Sequence, residues 1–109
     1  AIAKGLALKP KIILMDEPFA SLDAMTRTKL QNRLLDIKEK EPITVIFITH
    51  NIQEALVLGD RILFMTKRGE VKIDTKNTIE KPVSPVSDGY GQMWKMFHDA
   101  LWEENEEFE

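Results

Sequence analysis

Two short apolar runs, each followed at once by polar side chains, constrain the fold of this chain most strongly. Ile12–Met15 is continuously apolar and leads into Asp16 and Glu17, whereas Thr44–Ile48 is apolar and rich in β-branched residues and leads towards His50. Continuous apolar runs of four or five residues indicate strands that are covered on both faces of a sheet. The polar side chains therefore lie where two buried strands leave the sheet.

Helical patterns follow both runs. Ser21 or Asp23 can cap a helix whose apolar side chains recur at helical spacing. These side chains are Met25, Leu30, Leu34, Leu35 and Ile37. Asn51 can cap a shorter helix over Ile52–Leu58, which Gly59 ends. Alternation of strand and helix predicts an α/β layered fold with a mostly parallel sheet, in which ligands gather at the carboxyl ends of the strands.

The sequence after Gly59 predicts a hairpin, a loop and a terminal helix. Strands over Arg61–Thr66 and Val71–Asp74 should pair antiparallel, and Asn77–Gly91 is rich enough in Pro, Ser and Gly to be a loop or linker. An amphipathic helix is expected from Gln92 onwards. We favour a helix that covers the domain's own core; a helix that contacts another subunit is the alternative. The acidic end should be solvated and frayed.

Composition excludes several classes of function. The chain has 109 residues, enough for one small domain, and no cysteine, which rules out disulfides, thiolate metal sites and thiol catalysis. Its apolar runs are far shorter than the roughly 20 residues that a membrane span needs, and the N-terminus does not resemble a signal peptide.

Residues 99–109 hold six of the 18 acidic residues and none of the 15 basic ones. The remaining basic excess is too weak and too evenly spread to predict a nucleic-acid surface.

The polar residues at the strand ends suit phosphoryl transfer. Mg²⁺ takes one or two carboxylates and keeps several waters, which suits Asp16, and Glu17 beside it could act as the general base on a water molecule. The plain alternative is a pair of solvated loop acids. A single histidine is also more often structural, but His50 stands directly after Thr49 at a strand end. His98 has no such context and is expected to be structural.

Together, these motifs resemble the nucleotide-binding subunit of ATP-binding-cassette (ABC) transporters. Ile12–Glu17 resembles the Walker B strand with its glutamate, Ser21-Leu22-Asp23 resembles the D-loop, and His50 resembles the switch histidine. The resemblance runs from Ala1 to about Asp74.

That resemblance implies a set of roles. Glu17 and His50 would be the catalytic residues, with His50 also contacting the γ-phosphate of ATP. Asp16 would bind the cofactor by holding Mg²⁺ through water. Ser21, Leu22 and Asp23 would lie at the interface with a second subunit. For Asp23 a helix cap is the local alternative, and both roles can hold together.

The resemblance also implies that this sequence corresponds to the C-terminal half of such a subunit. Within it we find no Gly-rich phosphate loop ending in Lys-Ser or Lys-Thr, no glutamine loop and no Leu-Ser-Gly-Gly-Gln signature. Without the phosphate loop, ATP loses its main anchor. We therefore expect the isolated chain to be inactive. A non-catalytic α/β scaffold or interaction module that retains these motifs is the alternative.

The implied partners are an N-terminal half with the Walker A loop and signature, a second ABC subunit and membrane permease subunits, at the cytoplasmic side of the cell membrane. In this family the Walker A strand lies between the strands that end near His50 and begin near Arg61. Its absence would leave two sheet edges open and favour self-association. We assign residues 1–81 to the ATPase domain and residues 82–109 to a linker, an amphipathic helix and the acidic tail.

A cue to the subfamily is present as well. Phe19-Ala20 and the segment from Asp23 to Arg27 look most like importers of the nitrate, sulfonate and taurine type, or the related polyamine group. Asn51 departs from the aspartate that commonly follows the switch histidine.

Overall fold

The computed structural model describes residues 12–107. Ala1–Leu8, which is rich in Ala and Leu and is followed by Pro10 in the way that prolines follow helix ends, is expected to be helical but lies outside the described residues. The chain divides into two compact units, one ending at His50 and the other beginning at Asn51. The first contains strand β1, helix α1 and strand β2; the second contains α2, β3, β4 and α3. In chain order the elements are β1 (Ile12–Asp16), α1 (Ala24–Lys40), β2 (Thr44–Ile48), α2 (Ile52–Leu58), β3 (Arg61–Met65), β4 (Val71–Lys76) and α3 (Tyr90–Glu107).

The first unit is a strand–helix–strand segment with a parallel pair of strands. β1 and β2 pair in register from Ile12 opposite Thr44 to Asp16 opposite Ile48. Parallel strands need a long crossover, and α1 with its flanking turns provides it. The predicted strand and helix positions are confirmed here to within one residue.

The prediction that both faces of these strands are covered is wrong for this chain. Burial alternates along β1 and β2, and one face of the pair remains open to solvent. Its exposed apolar side chains are Ile12, Leu14, Ile46 and Ile48, each about half or more exposed. An apolar sheet face of this kind normally packs against another layer. The described part of the chain leaves it uncovered.

The apolar stripe predicted for α1 is likewise not buried. Within the described residues, no α1 side chain reaches full burial, and Met25, Leu30 and Ile37 are exposed. Leu34 and Leu35 are half-buried. The helix is therefore stabilised chiefly by its own hydrogen bonds and its caps, with little burial to support it.

The second unit contains the antiparallel hairpin that the sequence predicts. β3 and β4 pair from Arg61 opposite Lys76 to Met65 opposite Val71, with a register shift between Phe64 and Met65. Across the hairpin, Arg61 donates two hydrogen bonds to Asp74, at 2.8 and 2.6 Å. Among the described residues, the strands thus form two separate two-stranded sheets, one parallel and one antiparallel. The α/β class is confirmed, with less continuous pairing than expected.

A single apolar cluster stabilises the second unit. It joins α2, β3, the segment before α3, and α3 itself. Its buried members are Leu56, Ile62, Ile79, Val83, Tyr90 and Phe97. Burial raises the pKa of the Tyr90 hydroxyl. The favoured prediction for the terminal helix is confirmed, because α3 covers the core of its own unit.

The segment predicted as a loop or linker contributes to this core. It has no helix or strand up to α3, yet Ile79 and Val83 are buried within it. The Asn77 amide donates hydrogen bonds to the carbonyls of Leu56 and Gly59, at 2.7 and 2.8 Å. Carbonyls at a helix end have no partner within the helix. Asn77 therefore fastens the loop to the end of α2.

The acidic end of the chain is also more ordered than predicted. Glu104 is 3% exposed, and its carboxylate accepts a 2.6 Å hydrogen bond from the backbone N–H of Lys67. Glu103 pairs with Lys72 on β4 at 3.1 Å. The expectation of a frayed acidic tail is wrong for these residues, because the hairpin supplies partners for their charges.

In residues 12–107 no helix is long and apolar enough to cross a membrane.

A glycine at the end of α2 gives a direct test of this packing. A Cβ at Gly59 would lie 2.7 Å from the Ala55 carbonyl oxygen and 3.3 Å from the Ile62 side chain, whereas one at Gly91 would meet nothing within 4 Å. We expect Gly59→Ala to lower the free energy of unfolding by about 1–3 kcal/mol. Gly91→Ala should be neutral or slightly stabilising. Urea denaturation of both variants measures this, and equal effects would contradict the packing.

Candidate functional site

The polar residues predicted at the strand ends meet at one edge of the parallel pair. Asp16 lies opposite Ile48 as the last pair of the register. The backbone N–H of Glu17 then donates a 2.8 Å hydrogen bond to the Ile48 carbonyl. This bond continues the ladder by one residue beyond β1 and fixes Glu17 beside the segment that leads to His50. The strand-end argument from sequence is therefore confirmed as geometry.

The backbone of Glu17 adopts a conformation that its residue type disfavours. Its φ is 49°, and within the described residues it is the one non-glycine residue with positive φ. Such a conformation costs on the order of 1 kcal/mol or more and persists only where neighbouring contacts impose it. Here it turns the chain at the end of β1, next to the contact between Glu17 and the Ile48 carbonyl. Strain of this kind concentrates at functional sites.

The side chains of Glu17 and His50 are in direct contact. Nδ1 of His50 forms a short hydrogen bond with Oε1 of Glu17. The histidine side chain is 91% exposed and the glutamate side chain 29% exposed. Most of the imidazole is thus available to a ligand on the solvent side, while the carboxylate lies closer to the strands.

This contact determines which atoms remain available. A carboxylate accepts, so the Nδ1–H group of His50 donates the hydrogen bond to Oε1 of Glu17. The second oxygen of Glu17 stays available to accept a hydrogen bond from water. Nε2 of His50 points away from this bond and can contact a further group, as a donor once the ring is protonated. The pair can orient a water molecule and contact a neighbouring anion.

Asp16 is the remaining acid at this edge, and its side chain is exposed. In residues 12–107 no group of three or more His, Cys, Asp or Glu side chains could hold a metal ion unaided. Mg²⁺ in nucleotide sites does not need such a group, since it is bound by one or two carboxylates, waters and the phosphates of the substrate. Asp16 therefore fits the role of a single carboxylate ligand of Mg²⁺, and it is not part of a site with three or more protein ligands among the described residues.

The predicted interface residues form the turn that leads into α1. Asp23 is the N-cap of that helix, and its carboxylate accepts a 2.7 Å hydrogen bond from the backbone N–H of Thr26. This bond holds the pKa of the Asp23 carboxyl below its usual range. The cap is therefore fully formed at neutral pH. Ser21 and Leu22 precede it, with Ser21 exposed and Leu22 half-buried.

The structural roles of two residues around this turn were not predicted from sequence. Phe19, within the turn, is 3% exposed; an aromatic residue between two polar motifs was a usable signal. Arg27 donates a 3.0 Å hydrogen bond from Nη2 to the Leu22 carbonyl. A side-chain bond to backbone five residues earlier leaves no pattern that sequence analysis could have found.

Comparison with known proteins identifies named relatives. No family model matches the chain. It is 53% identical over 105 residues to an uncharacterized ABC transporter ATP-binding protein of Methanocaldococcus jannaschii, covering 95% of this chain and 39% of that protein. It is 43% identical over 94 residues to the aliphatic sulfonates import ATP-binding protein SsuB of Bacillus thuringiensis, covering 85% of this chain and 38% of that protein.

A third relative is the nitrate import ATP-binding protein NrtC of a Synechocystis species, 47% identical over 73 residues, or 67% of this chain and 11% of that protein. The chain thus spans about two fifths or less of the length of the relatives it matches. The names of these relatives agree with the resemblance drawn from the strand-end motifs.

Proposed function

Because the chain belongs to the family of ABC transporter ATP-binding proteins, we propose that it supplies the water- and metal-handling part of an ATP-hydrolysing site. The observation that carries this proposal is the direct contact between Glu17 and His50 at the end of the parallel strands. Residues 33 positions apart in sequence meet where a nucleotide site of this family needs a base and a phosphate contact. The remainder of the site would come from a segment with a phosphate-binding loop.

The chemical roles follow from the geometry. Glu17 is the general base: its free carboxylate oxygen accepts the proton of the attacking water. His50 orients that carboxylate through Nδ1 and contacts the γ-phosphate through Nε2. Asp16 would hold Mg²⁺, directly or through water, and the ion would supply neutralisation of charge on the phosphates. Phosphoryl transfer is mainly positioning and charge stabilisation, so these three side chains suffice for this part of the site.

The uncovered apolar face of β1 and β2 supports the proposal that this chain forms only part of an ATP-binding domain. Its exposed isoleucines and leucine need a covering layer, which helices from the remainder of a P-loop-type fold would supply. Without that layer we expect the isolated chain to self-associate. It should also bind ATP weakly, because its sequence contains no Gly-rich loop ending in Lys-Ser or Lys-Thr to cradle the phosphates.

In the assembled transporter we propose two kinds of partner besides the segment with the phosphate-binding loop. The turn that contains Ser21, Leu22 and Asp23 faces a second ATP-binding subunit, and permease subunits hold the pair at the cytoplasmic side of the membrane. The named relatives import sulfonates and nitrate; together with the Phe19-Ala20 and Asp23–Arg27 cue, they favour a small anion importer.

Phosphate release by a completed protein tests the proposal. The chain is joined to the N-terminal part of the Methanocaldococcus jannaschii relative, and ATP hydrolysis is compared with that of the isolated chain. We expect Mg²⁺-dependent release from the joined protein and none from the isolated chain. A joined protein that folds and binds ATP but releases no phosphate would favour the alternative, a non-catalytic scaffold that retains these motifs.

A further inference from the structure

The turn between Glu17 and α1 is held by a connected set of hydrogen bonds. The backbone N–H of Ala20 donates to the Glu17 carbonyl at 3.4 Å, and that of Leu22 donates to the Phe19 carbonyl at 3.3 Å. Phe19, within the turn, is buried. The first bond ties the turn to Glu17, and the second ties Leu22 to the buried Phe19.

The second half of the turn depends on α1. The Asp23 carboxylate accepts from the N–H of Thr26, and the Asp23 carbonyl accepts from the N–H of Arg27 at 2.9 Å. These two bonds are the ordinary start of a capped helix. Neither of them reaches Leu22, whose carbonyl lies before the helix begins.

Arg27 provides the bond that the helix cannot. Its Nη2 donates to the Leu22 carbonyl at 3.0 Å, and the side chain is half-buried against the turn. A guanidinium is planar and permanently charged, so its donors keep a defined direction. Arg27 is therefore anchored in the first turns of α1 and reaches back over the residues predicted to face a second subunit.

We propose that Arg27 is a positioning residue for ATP hydrolysis, which fixes the Ser21–Leu22–Asp23 turn in the orientation that contacts the second subunit. This inference rests on the proposed function. Arg27 lies outside the candidate site of Asp16, Glu17 and His50, so it acts through the turn. Its loss should therefore slow turnover with little effect on the apparent affinity for ATP.

Amide hydrogen exchange tests the structural half of the inference without any activity. In this chain, Arg27→Ala should accelerate exchange of the Leu22 N–H relative to wild type, because the turn loses its tie to α1. Arg33→Ala, on the exposed side of the same helix, is the matched control and should leave that exchange unchanged. Unchanged exchange at Leu22 in Arg27→Ala would overturn the inference.

Kinetics of the joined protein test the functional half. We expect Arg27→Ala to lower kcat about tenfold with KM for ATP changed less than about twofold, Arg27→Lys to recover part of the loss, and Arg33→Ala to match wild type. Wild-type kcat in Arg27→Ala would overturn the inference while leaving the proposed function intact. A joined wild-type protein without turnover would instead refute the proposed function, and exchange at Leu22 would still decide whether Arg27 holds the turn.

Discussion

Replacing Glu17 by Gln should lower steady-state ATP turnover of the joined protein by about two to four orders of magnitude, the range that a positioned general base contributes. The amide keeps the size of the side chain and can still contact His50, but it cannot take a proton from water. ATP binding should therefore be retained, since Glu17 is not proposed to hold the phosphates. Phosphate release at saturating Mg²⁺ and ATP measures the effect.

The matched control for this substitution is Glu70→Gln. Glu70 is exposed in the hairpin turn, outside the candidate site, and the change removes the same charge from the chain. Its turnover should equal that of the wild type. Comparable losses in both variants would mean that net charge, and not a proton acceptor at the strand end, controls the rate.

Replacing Leu56 by Ala should strongly destabilise the second unit. Leu56 is fully buried, at 0% exposure, within the apolar cluster. Removing its branched end leaves a cavity, which costs about 2–5 kcal/mol in well-packed cores. Small domains have total stabilities of about 5–15 kcal/mol, so the variant could lose much of its stability.

Tryptophan fluorescence during urea unfolding measures this loss. Both tryptophans of the chain, Trp94 and Trp102, lie in α3, so the signal reports on the second unit. Leu63→Ala is the control, because Leu63 on β3 is 47% exposed and should cost about 1 kcal/mol or less. Leu56→Val gives an intermediate value if the Ala variant does not fold. Equal shifts at Leu56 and Leu63 would contradict the assigned core.

The strands and helices were predictable because local chemistry specifies them. β-branched apolar residues in Thr44–Ile48, a carboxylate cap at Asp23 and a glycine at Gly59 mark element boundaries without reference to the rest of the fold. Burial was less predictable. The apolar residues of β1 predict that both faces of the strand are covered, but the sequence pattern does not identify the segment that covers them. Because the described residues leave one face uncovered, Leu14 is 68% exposed.

The residues of the candidate site could be predicted from sequence, but their backbone conformations and contacts could not. The carboxyl ends of parallel strands lie at the same edge of a sheet. This rule alone predicts that Glu17 and His50 lie near each other although they are 33 positions apart in sequence. The positive φ of Glu17 and the direct imidazole–carboxylate contact depend on three-dimensional constraints and are invisible in the residue pattern. Arg27 and Asn77 were missed for the same reason, since each bonds to backbone carbonyls that any residue type provides.

We propose that Glu17 of this chain is the general base in the chemical step of ATP hydrolysis by the completed protein. In a single-turnover experiment, the joined protein, in excess over ATP and with Mg²⁺, is quenched at intervals and its bound nucleotide is identified. We expect conversion of bound ATP to ADP in the wild type and bound ATP that stays intact in Glu17→Gln. Equal conversion in the two proteins would contradict this proposal.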